Sequence, residues 1–192
     1  MMNFENQINQ ILKKYYGYER LRPGQEEIIM SLLSGQDALA VMPTGAGKSL
    51  CYQIPALCMD GITLVVSPLI SLMEDQVLGL CANGISAAYL NSSQSMKDYR
   101  ETIQKAREGA YTLLYVAPER LLTESFLSFA MEAEISLLAV DEAHCISQWG
   151  QDFRPSYREI PTFIRKLSKR PVIGAFTATA TQLVKENSLM MK

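Results

Sequence analysis

The sequence is poor in the residues that build metal centres and redox scaffolds. It has one histidine, His144, one tryptophan, Trp149, and four cysteines, Cys51, Cys58, Cys81 and Cys145, with no CxxC pair. A zinc site needs three or four suitably spaced ligands, and His144 beside Cys145 does not supply them. The cysteines read as reduced, buried thiols of a cytoplasmic protein. Long apolar runs are also missing. Runs such as 62–66 and 137–140 fall far short of the roughly 20 residues a membrane helix needs. The N-terminus, Met1-Met2-Asn3-Phe4-Glu5, lacks both the basic and the apolar segment of a secretory signal. Nor is there an excess of one charge: 18 basic against 20 acidic side chains give a formal net charge of −2. That excludes a general basic coat, so any nucleic acid would have to be held by local grooves and loops. No repeat, linker or low-complexity tract interrupts the chain, and residues 1–192 read as one domain. A domain of this size buries ~70% of its unfolded surface and needs no covalent staple.

What is present is an alternation. Residues 3–16 carry Phe4, Ile8, Ile11, Leu12 and Tyr15 on one helical face, and Gly17 ends the pattern. A second helix is expected from Pro23-Gly24-Gln25 to Ser34-Gly35. Apolar runs then follow at 37–41, 62–67, 86–90, 112–117, 135–140 and 171–177. Helical segments lie between them at 48–59, 69–82, 96–108, 119–131 and 157–167. Runs that are apolar throughout indicate strands covered on both faces, and strand–helix alternation indicates a mostly parallel sheet with right-handed crossovers. The expected fold class is therefore α/β, with helices on both faces of the sheet. The chain ends inside a further helical pattern at 182–191, without a stop signal, as expected of a boundary within a longer protein.

Four segments carry chemistry. Met42-Pro43-Thr44-Gly45-Ala46-Gly47-Lys48-Ser49 follows a strand and opens a helix, the context a phosphate-binding loop requires. Gly45 and Gly47 would let the backbone N–H groups of Thr44, Gly45, Ala46 and Gly47 curl around a polyphosphate. Lys48 would supply a charge to the terminal phosphates and Ser49 a hydroxyl to Mg²⁺. Met42 stands where the usual pattern has its first glycine. Asp141-Glu142-Ala143-His144 comes at the end of an apolar run, and ligands of open parallel sheets bind at that edge. Asp141 fits a water-mediated partner of Mg²⁺, and Glu142 a carboxylate that orients or deprotonates a water. His144 suits a relay from that site to whatever binds nearby. The segment from Cys145 to Tyr157 holds Trp149, Phe153 and Arg154 among Gly and Pro. It is either a base-stacking loop or a buried aromatic plug. Thr177-Ala178-Thr179-Ala180 is either a hydrogen-bonding strand end beside the acidic motif or the cap of the last helix.

In order and spacing these segments resemble the first motor domain of RecQ-type DNA helicases, within superfamily two. Leu12, Tyr16-Gly17, Leu21-Arg22 and Gln25 resemble the family's adenine-recognition motif. Residues 42–57 resemble its motif I, 66–76 motif Ia, 115–121 motif Ib, 141–144 the DEAH box of motif II, 145–157 the RecQ aromatic loop and 177–180 motif III. The resemblance implies a RecA-like P-loop NTPase fold, ATP and Mg²⁺ as cofactors, and residues 1–35 as a helical adenine-recognition region. It implies that Gln25 reads the adenine edge while Tyr18 and Arg22 sandwich the ring. Ser67, Pro68, Leu69, Glu119 and Arg120 would touch the DNA backbone. Trp149, Phe153 and Arg154 would sense single-stranded DNA and report through His144 and Gln148 to the hydrolysis site. Three departures stand out: Leu21 where Phe is usual, Gln151 where His is frequent, and Phe176 where Leu is usual.

The expected function is thus the ATP-binding lobe of a cytoplasmic, ATP-dependent 3′-to-5′ DNA helicase of recombination and repair. It would act on single-stranded and partial-duplex DNA, with a second RecA-like lobe supplying the arginine finger. Alone, the lobe would bind Mg-ATP weakly, hydrolyse it slowly at most and unwind nothing. The competing readings are an RNA helicase, a standalone P-loop kinase or nucleotide-binding module, and a degenerate P-loop fold used only for interaction.

Overall fold

The computed structural model describes residues 4–146 and 154–178. The apolar runs form one six-stranded sheet: β1 (Ala38–Val41), β2 (Ile62–Val66), β3 (Ala87–Leu90), β4 (Leu113–Val116), β5 (Ile135–Val140) and β6 (Val172–Thr177). Every pairing is parallel and the order is β1-β6-β5-β2-β4-β3. The central strands β2 and β4 are buried at every residue, which is why their sequences do not alternate.

The strand order fixes the layers. The crossovers β1→β2 and β2→β3 move one way across the sheet; those leading to β4, β5 and β6 step back. With right-handed connections this reversal places the two sets of helices on opposite faces. One face carries α2 (Gln25–Leu33), α3 (Leu50–Cys58) and α4 (Ile70–Ala82), with Leu32, Tyr52, Met73, Val77 and Phe176 in its core. The other carries α5 (Met96–Arg107), α6 (Glu124–Glu132) and α7 (Ile160–Lys166), around Tyr99, Phe126, Phe129 and Phe163. The first helix, α1 (Phe4–Ile11), rests on α2 and α3 through Ile8, Ile11, Ile29 and Ile54. Phe176 is fully buried, its ring centroid 5.2 Å from that of Tyr52. It also covers Gly174, where a Cβ would come within 2.7 Å of the ring.

Three helix boundaries differ from the sequence pattern. Residues 12–16 form a π-helical turn, closed by Gly17 at φ 69°. The helix expected at 119–131 begins only at Glu124, after a 3-10 turn at Pro118–Arg120. The Thr123 hydroxyl donates to the Arg120 carbonyl at 2.7 Å, which holds the turn and sends Leu121 into the core. The helix expected at 157–167 starts as a 3-10 turn at Pro155–Glu159. The cysteines are all free, as expected, but only Cys51 and Cys145 are buried; Cys81 is exposed. The helix pattern at 182–191 lies outside the described residues.

Two local devices matter for the site. Asp37, just before β1, pairs with Arg170 at 2.6 Å and accepts the Ile173 N–H at 2.8 Å. This locks β1 against β6 in the register that sets Val41 opposite Thr177. Ser95 caps α5: its hydroxyl accepts the Asp98 N–H at 3.1 Å and donates to the Asp98 carboxylate at 2.7 Å. Ser95→Ala is expected to lower stability by about 1 kcal/mol. The readout is a lower urea midpoint at unchanged slope. An unchanged midpoint would mean that packing alone starts α5.

Candidate nucleotide-binding site

β1, β6 and β5 are neighbours, so the segments that leave their carboxyl ends meet at one edge of the sheet. From β1 comes the loop 42–49. Met42 does not act as a loop residue: it is buried, its N–H bonds the Thr177 carbonyl at 2.9 Å, and its sulfur lies 3.8 Å from Cys51 Sγ. It is a core anchor where the usual pattern has glycine. Gly45 and Gly47 both adopt φ 81°. Among the described residues no backbone acceptor takes the N–H groups of Gly47, Lys48 or Ser49, so these donors remain for an anion. Gly47 has a second reason to be glycine, since a Cβ there would lie 2.6 Å from Gln25 Nε2.

β5 delivers Asp141 and Glu142. Glu142 sits at φ 47°, the only non-glycine residue with positive φ among those described. Such a conformation costs on the order of 1–3 kcal/mol and persists where the surroundings enforce it. Its N–H bonds Asp141 Oδ1 at 3.0 Å. Its carboxylate reaches Lys48 Nζ at 3.4 Å and His144 Nδ1 at 3.2 Å. His144 Nδ1 also lies 3.1 Å from the Thr177 hydroxyl at the end of β6. The one ring atom Nδ1 thus faces both the Glu142 carboxylate and the Thr177 hydroxyl. The result is a continuous polar chain, Lys48–Glu142–His144–Thr177, joining three strand ends.

Asp141 is only 7% exposed. Burial, with Glu142 beside it, pushes its carboxyl up to about 6, against opposing pulls from the Glu142 N–H, Lys48 and His144. Beneath it, the fully buried Tyr157 donates to the Asp141 carbonyl at 2.8 Å. Tyr157 therefore takes the plug role, and not the stacking role, of the two readings of its segment. Ser49 and Asp141 line the same cleft of about 620 Å³ as Tyr18, Arg22, Gln25, Lys48 and Glu142. One hydroxyl and one carboxylate anion in want of a cation suit Mg²⁺, which keeps most of its waters and takes its remaining ligands from phosphate. Among the described residues no cluster of three or more His, Cys, Asp or Glu side chains could hold a metal unaided.

On the opposite wall Tyr18 is 52% exposed and free to receive a ring. Arg22 is turned into the loop, its guanidinium donating to the Gly45 carbonyl. Gln25 is 1% exposed and its amide is fully engaged. It accepts the Arg22 N–H at 2.8 Å and donates to the carbonyls of Ala46 at 3.2 Å and Gly47 at 3.0 Å. Both residues thus clamp the phosphate loop, and reading an adenine would require them to exchange these bonds.

The expected DNA-facing residues are placed unequally. Ser67 and Pro68 are buried, and the Ser67 hydroxyl has no hydrogen-bond partner among the described residues; Leu69 is exposed. Glu119 is exposed. Arg120 is half-buried, donates to the Asn91 carbonyl at 3.0 Å and lies over the Tyr99 ring at 5.0 Å. Arg154 is half-buried, its N–H on the Cys145 carbonyl at 3.0 Å. Gln148, Trp149, Gln151, Phe153, Thr179 and Ala180 lie outside the described residues.

The sequence pattern did not point to Gln53. On α3 it accepts a bond from the Tyr16 hydroxyl at 3.1 Å. Its amide donates to Gln76 on α4 at 2.9 Å and to the Tyr115 hydroxyl on β4 at 3.2 Å. The available signal was an amide set among the apolar Cys51, Tyr52 and Ile54.

A sequence profile of the DEAD/DEAH box helicases matches residues 22–186. The chain is 52% identical over 178 residues to the ATP-dependent DNA helicase RecQ of Bacillus subtilis strain 168, covering 92% of this chain and 30% of that protein. It is 51% identical over 179 residues to the RecQ of Haemophilus influenzae, covering 93% and 29%. With the ATP-dependent DNA helicase Q-like 5 of Arabidopsis thaliana it shares 47% over 181 residues, covering 93% and 20%. The chain thus spans less than a third of the length of these curated relatives. Among solved structures, the DUF1998 helicase MrfA bound to DNA superposes with a TM-score of 0.78 at 20% identity, over 100% of this chain and 29% of that one. A hypothetical ATP-dependent RNA helicase from Sulfolobus tokodaii gives 0.73 at 22%, over 96% and 53%. At these identities the structural likeness is one of fold.

Proposed function

The chain belongs to the DEAD/DEAH box helicase family, and from that premise we propose that it is the ATP-binding lobe of a RecQ-type, ATP-dependent 3′-to-5′ DNA helicase. The observation that carries the proposal is the chain Lys48–Glu142–His144–Thr177 running beside Ser49 and Asp141 in one cleft. In this reading Thr44, Gly45, Ala46 and Gly47 wrap the polyphosphate of ATP, and Lys48 leaves Glu142 for the terminal phosphates. Glu142, so released, orients or deprotonates the attacking water. Ser49 and Asp141 would hold Mg²⁺, whose chemistry there would be to neutralise negative charge on the phosphates. Tyr18 receives the adenine ring, and Arg22 and Gln25 meet it after exchanging their bonds to the carbonyls of Gly45, Ala46 and Gly47. His144 and Thr177 connect the acid to the DNA side, where Leu69, Glu119, Arg120 and Arg154, with Gln148, Trp149 and Phe153, meet DNA; Ser67 and Pro68, expected there from the sequence, are buried and do not reach it.

Hydrolysis at an effective rate requires a second RecA-like lobe whose arginine stabilises the transition state, worth on the order of 10³-fold or more in rate. The lobe by itself is therefore expected to bind nucleotide without unwinding DNA. Calorimetric titration with Mg-ATP should give a saturable isotherm that EDTA abolishes, with no helicase activity and no strong DNA-stimulated turnover. Absence of any binding at millimolar nucleotide would overturn the ATP-binding reading. Strong DNA-stimulated hydrolysis, lost in Glu142→Gln, would overturn the need for a second lobe.

A further inference from the structure

Gln53 is a buried amide whose carbonyl and both N–H groups are engaged with three other elements. It is 5% exposed and stands one helical turn after Ser49, its own N–H bonding the Ser49 carbonyl at 2.9 Å. The carbonyl accepts from Tyr16, next to Gly17 and Tyr18 on the adenine side. The two N–H groups go to Gln76 and Tyr115. Gln76 lies on α4, the helix that starts directly after Leu69; Tyr115 lies on β4, the strand that runs into the Pro118–Arg120 turn. Burial pushes the Tyr115 phenol up to about 12, so it stays protonated as a neutral partner.

These contacts are not scattered. They tie the helix that begins in the phosphate loop to the two elements whose carboxyl-edge ends carry the proposed DNA-facing residues Leu69 and Arg120. Interiors at native packing density transmit displacement, and a buried hydrogen-bond network is costly to leave half-made. A change in the first turn of α3 when the loop takes a phosphate therefore moves Gln53. It must then either carry Gln76 and Tyr115 with it or break its bonds to them.

We propose that Gln53 is a positioning residue that couples nucleotide occupancy of the phosphate loop to the placement of Leu69 on α4 and Arg120 after β4. The proposal rests on the nucleotide-binding reading above. By reciprocity of coupled sites, DNA contact at Leu69 and Arg120 would act back on the nucleotide through the same amide.

The test is hydrogen exchange of this chain with and without saturating Mg-ADP, in the wild type, Gln53→Met and Gln76→Met. In the wild type, Mg-ADP should change exchange about tenfold at 69–76 and at 115–120. Gln53 and Gln76 line the cleft beside Lys48 and Ser49, so the affinity of each variant is measured first and exchange is compared at saturating Mg-ADP. Gln53→Met should lose the response in both segments. Gln76→Met should lose it at 69–76 and keep it at 115–120, a split that general loosening of the core would not produce. Gln76 is only half-buried, so this variant decides the matter even if Gln53→Met does not fold. Wild-type responses that persist in Gln76→Met, or a wild type that binds Mg-ADP with no response at these segments, would overturn the coupling. A wild type that fails to bind Mg-ADP would overturn the nucleotide reading and the coupling with it.

Discussion

At pH 8 the nucleotide-free Asp141→Asn protein is expected to melt several degrees above the wild type, and at pH 4 the difference is expected to vanish. Burial and Glu142 push the Asp141 carboxyl up to about 6 from an ordinary value of 3.8. A carboxyl raised in the fold binds its proton more tightly folded than unfolded. Its favourable contribution is complete below the unfolded value and is lost as pH rises through about 6. Above that pH the folded protein holds a buried anion at a cost of about 3 kcal/mol, from roughly two units at 1.36 kcal/mol each. Asn keeps an oxygen for the Glu142 N–H and removes the charge, so most of this cost disappears. In a domain of this size each kcal/mol moves the midpoint by about 2–4 °C. The same variant should lose magnesium-dependent nucleotide binding. Thermal scans at pH 8 and pH 4 decide: equal midpoints at pH 8, or a difference that survives at pH 4, would mean that the anion is not the source.

The second large effect is expected at Lys48. Lys48→Met removes the cation proposed to meet the terminal phosphates, and a hydrogen bond to a charged group is worth about 1.5–3 kcal/mol. Mg-ATP affinity should therefore fall by about 10- to 100-fold. The nucleotide-free protein should respond in a second way. Lys48 is one of the groups that hold the Asp141 carboxyl down, so its loss pushes that carboxyl higher still. Added to Lys48→Met, Asp141→Asn should stabilise more than it does in the wild type. A double-mutant cycle of melting temperature at pH 8 measures this coupling. Additive effects would separate the lysine from the carboxylate pair, and unchanged Mg-ATP affinity would remove Lys48 from the phosphate site.

The strands and the acidic motif were legible because each rests on a local pattern. Gly45 and Gly47 before Lys48, and Asp141 after an apolar run, need only a few consecutive residues to be read. Residues with distant partners were not legible in this way. Gly47 must also be glycine because Gln25 approaches it, and nothing near residue 47 shows that. Tyr157 stood between a stacking loop and a buried plug, and what decides it is a hydroxyl matched to the Asp141 carbonyl across 16 positions. The helix expected from 119 was misjudged because its apolar spacing runs on while the Thr123 hydroxyl turns the backbone. The RecQ resemblance, carried by motifs spread over the chain, agrees with the family match and with the identity to bacterial RecQ.

The lock between β1 and β6 has a consequence for the order of assembly. Strands β2, β3 and β4 pair within one stretch of chain, whereas Asp37 and Ile173 meet across 136 positions. Closing so long a loop costs entropy that is recovered only when both strands are in place. Until then the phosphate loop has no Thr177 beside it, and the chain from Lys48 to His144 lacks its end. The half of the sheet proposed to bind nucleotide is therefore the half of highest contact order, and on this reading competence to bind would mark the closing of the sheet and not its beginning.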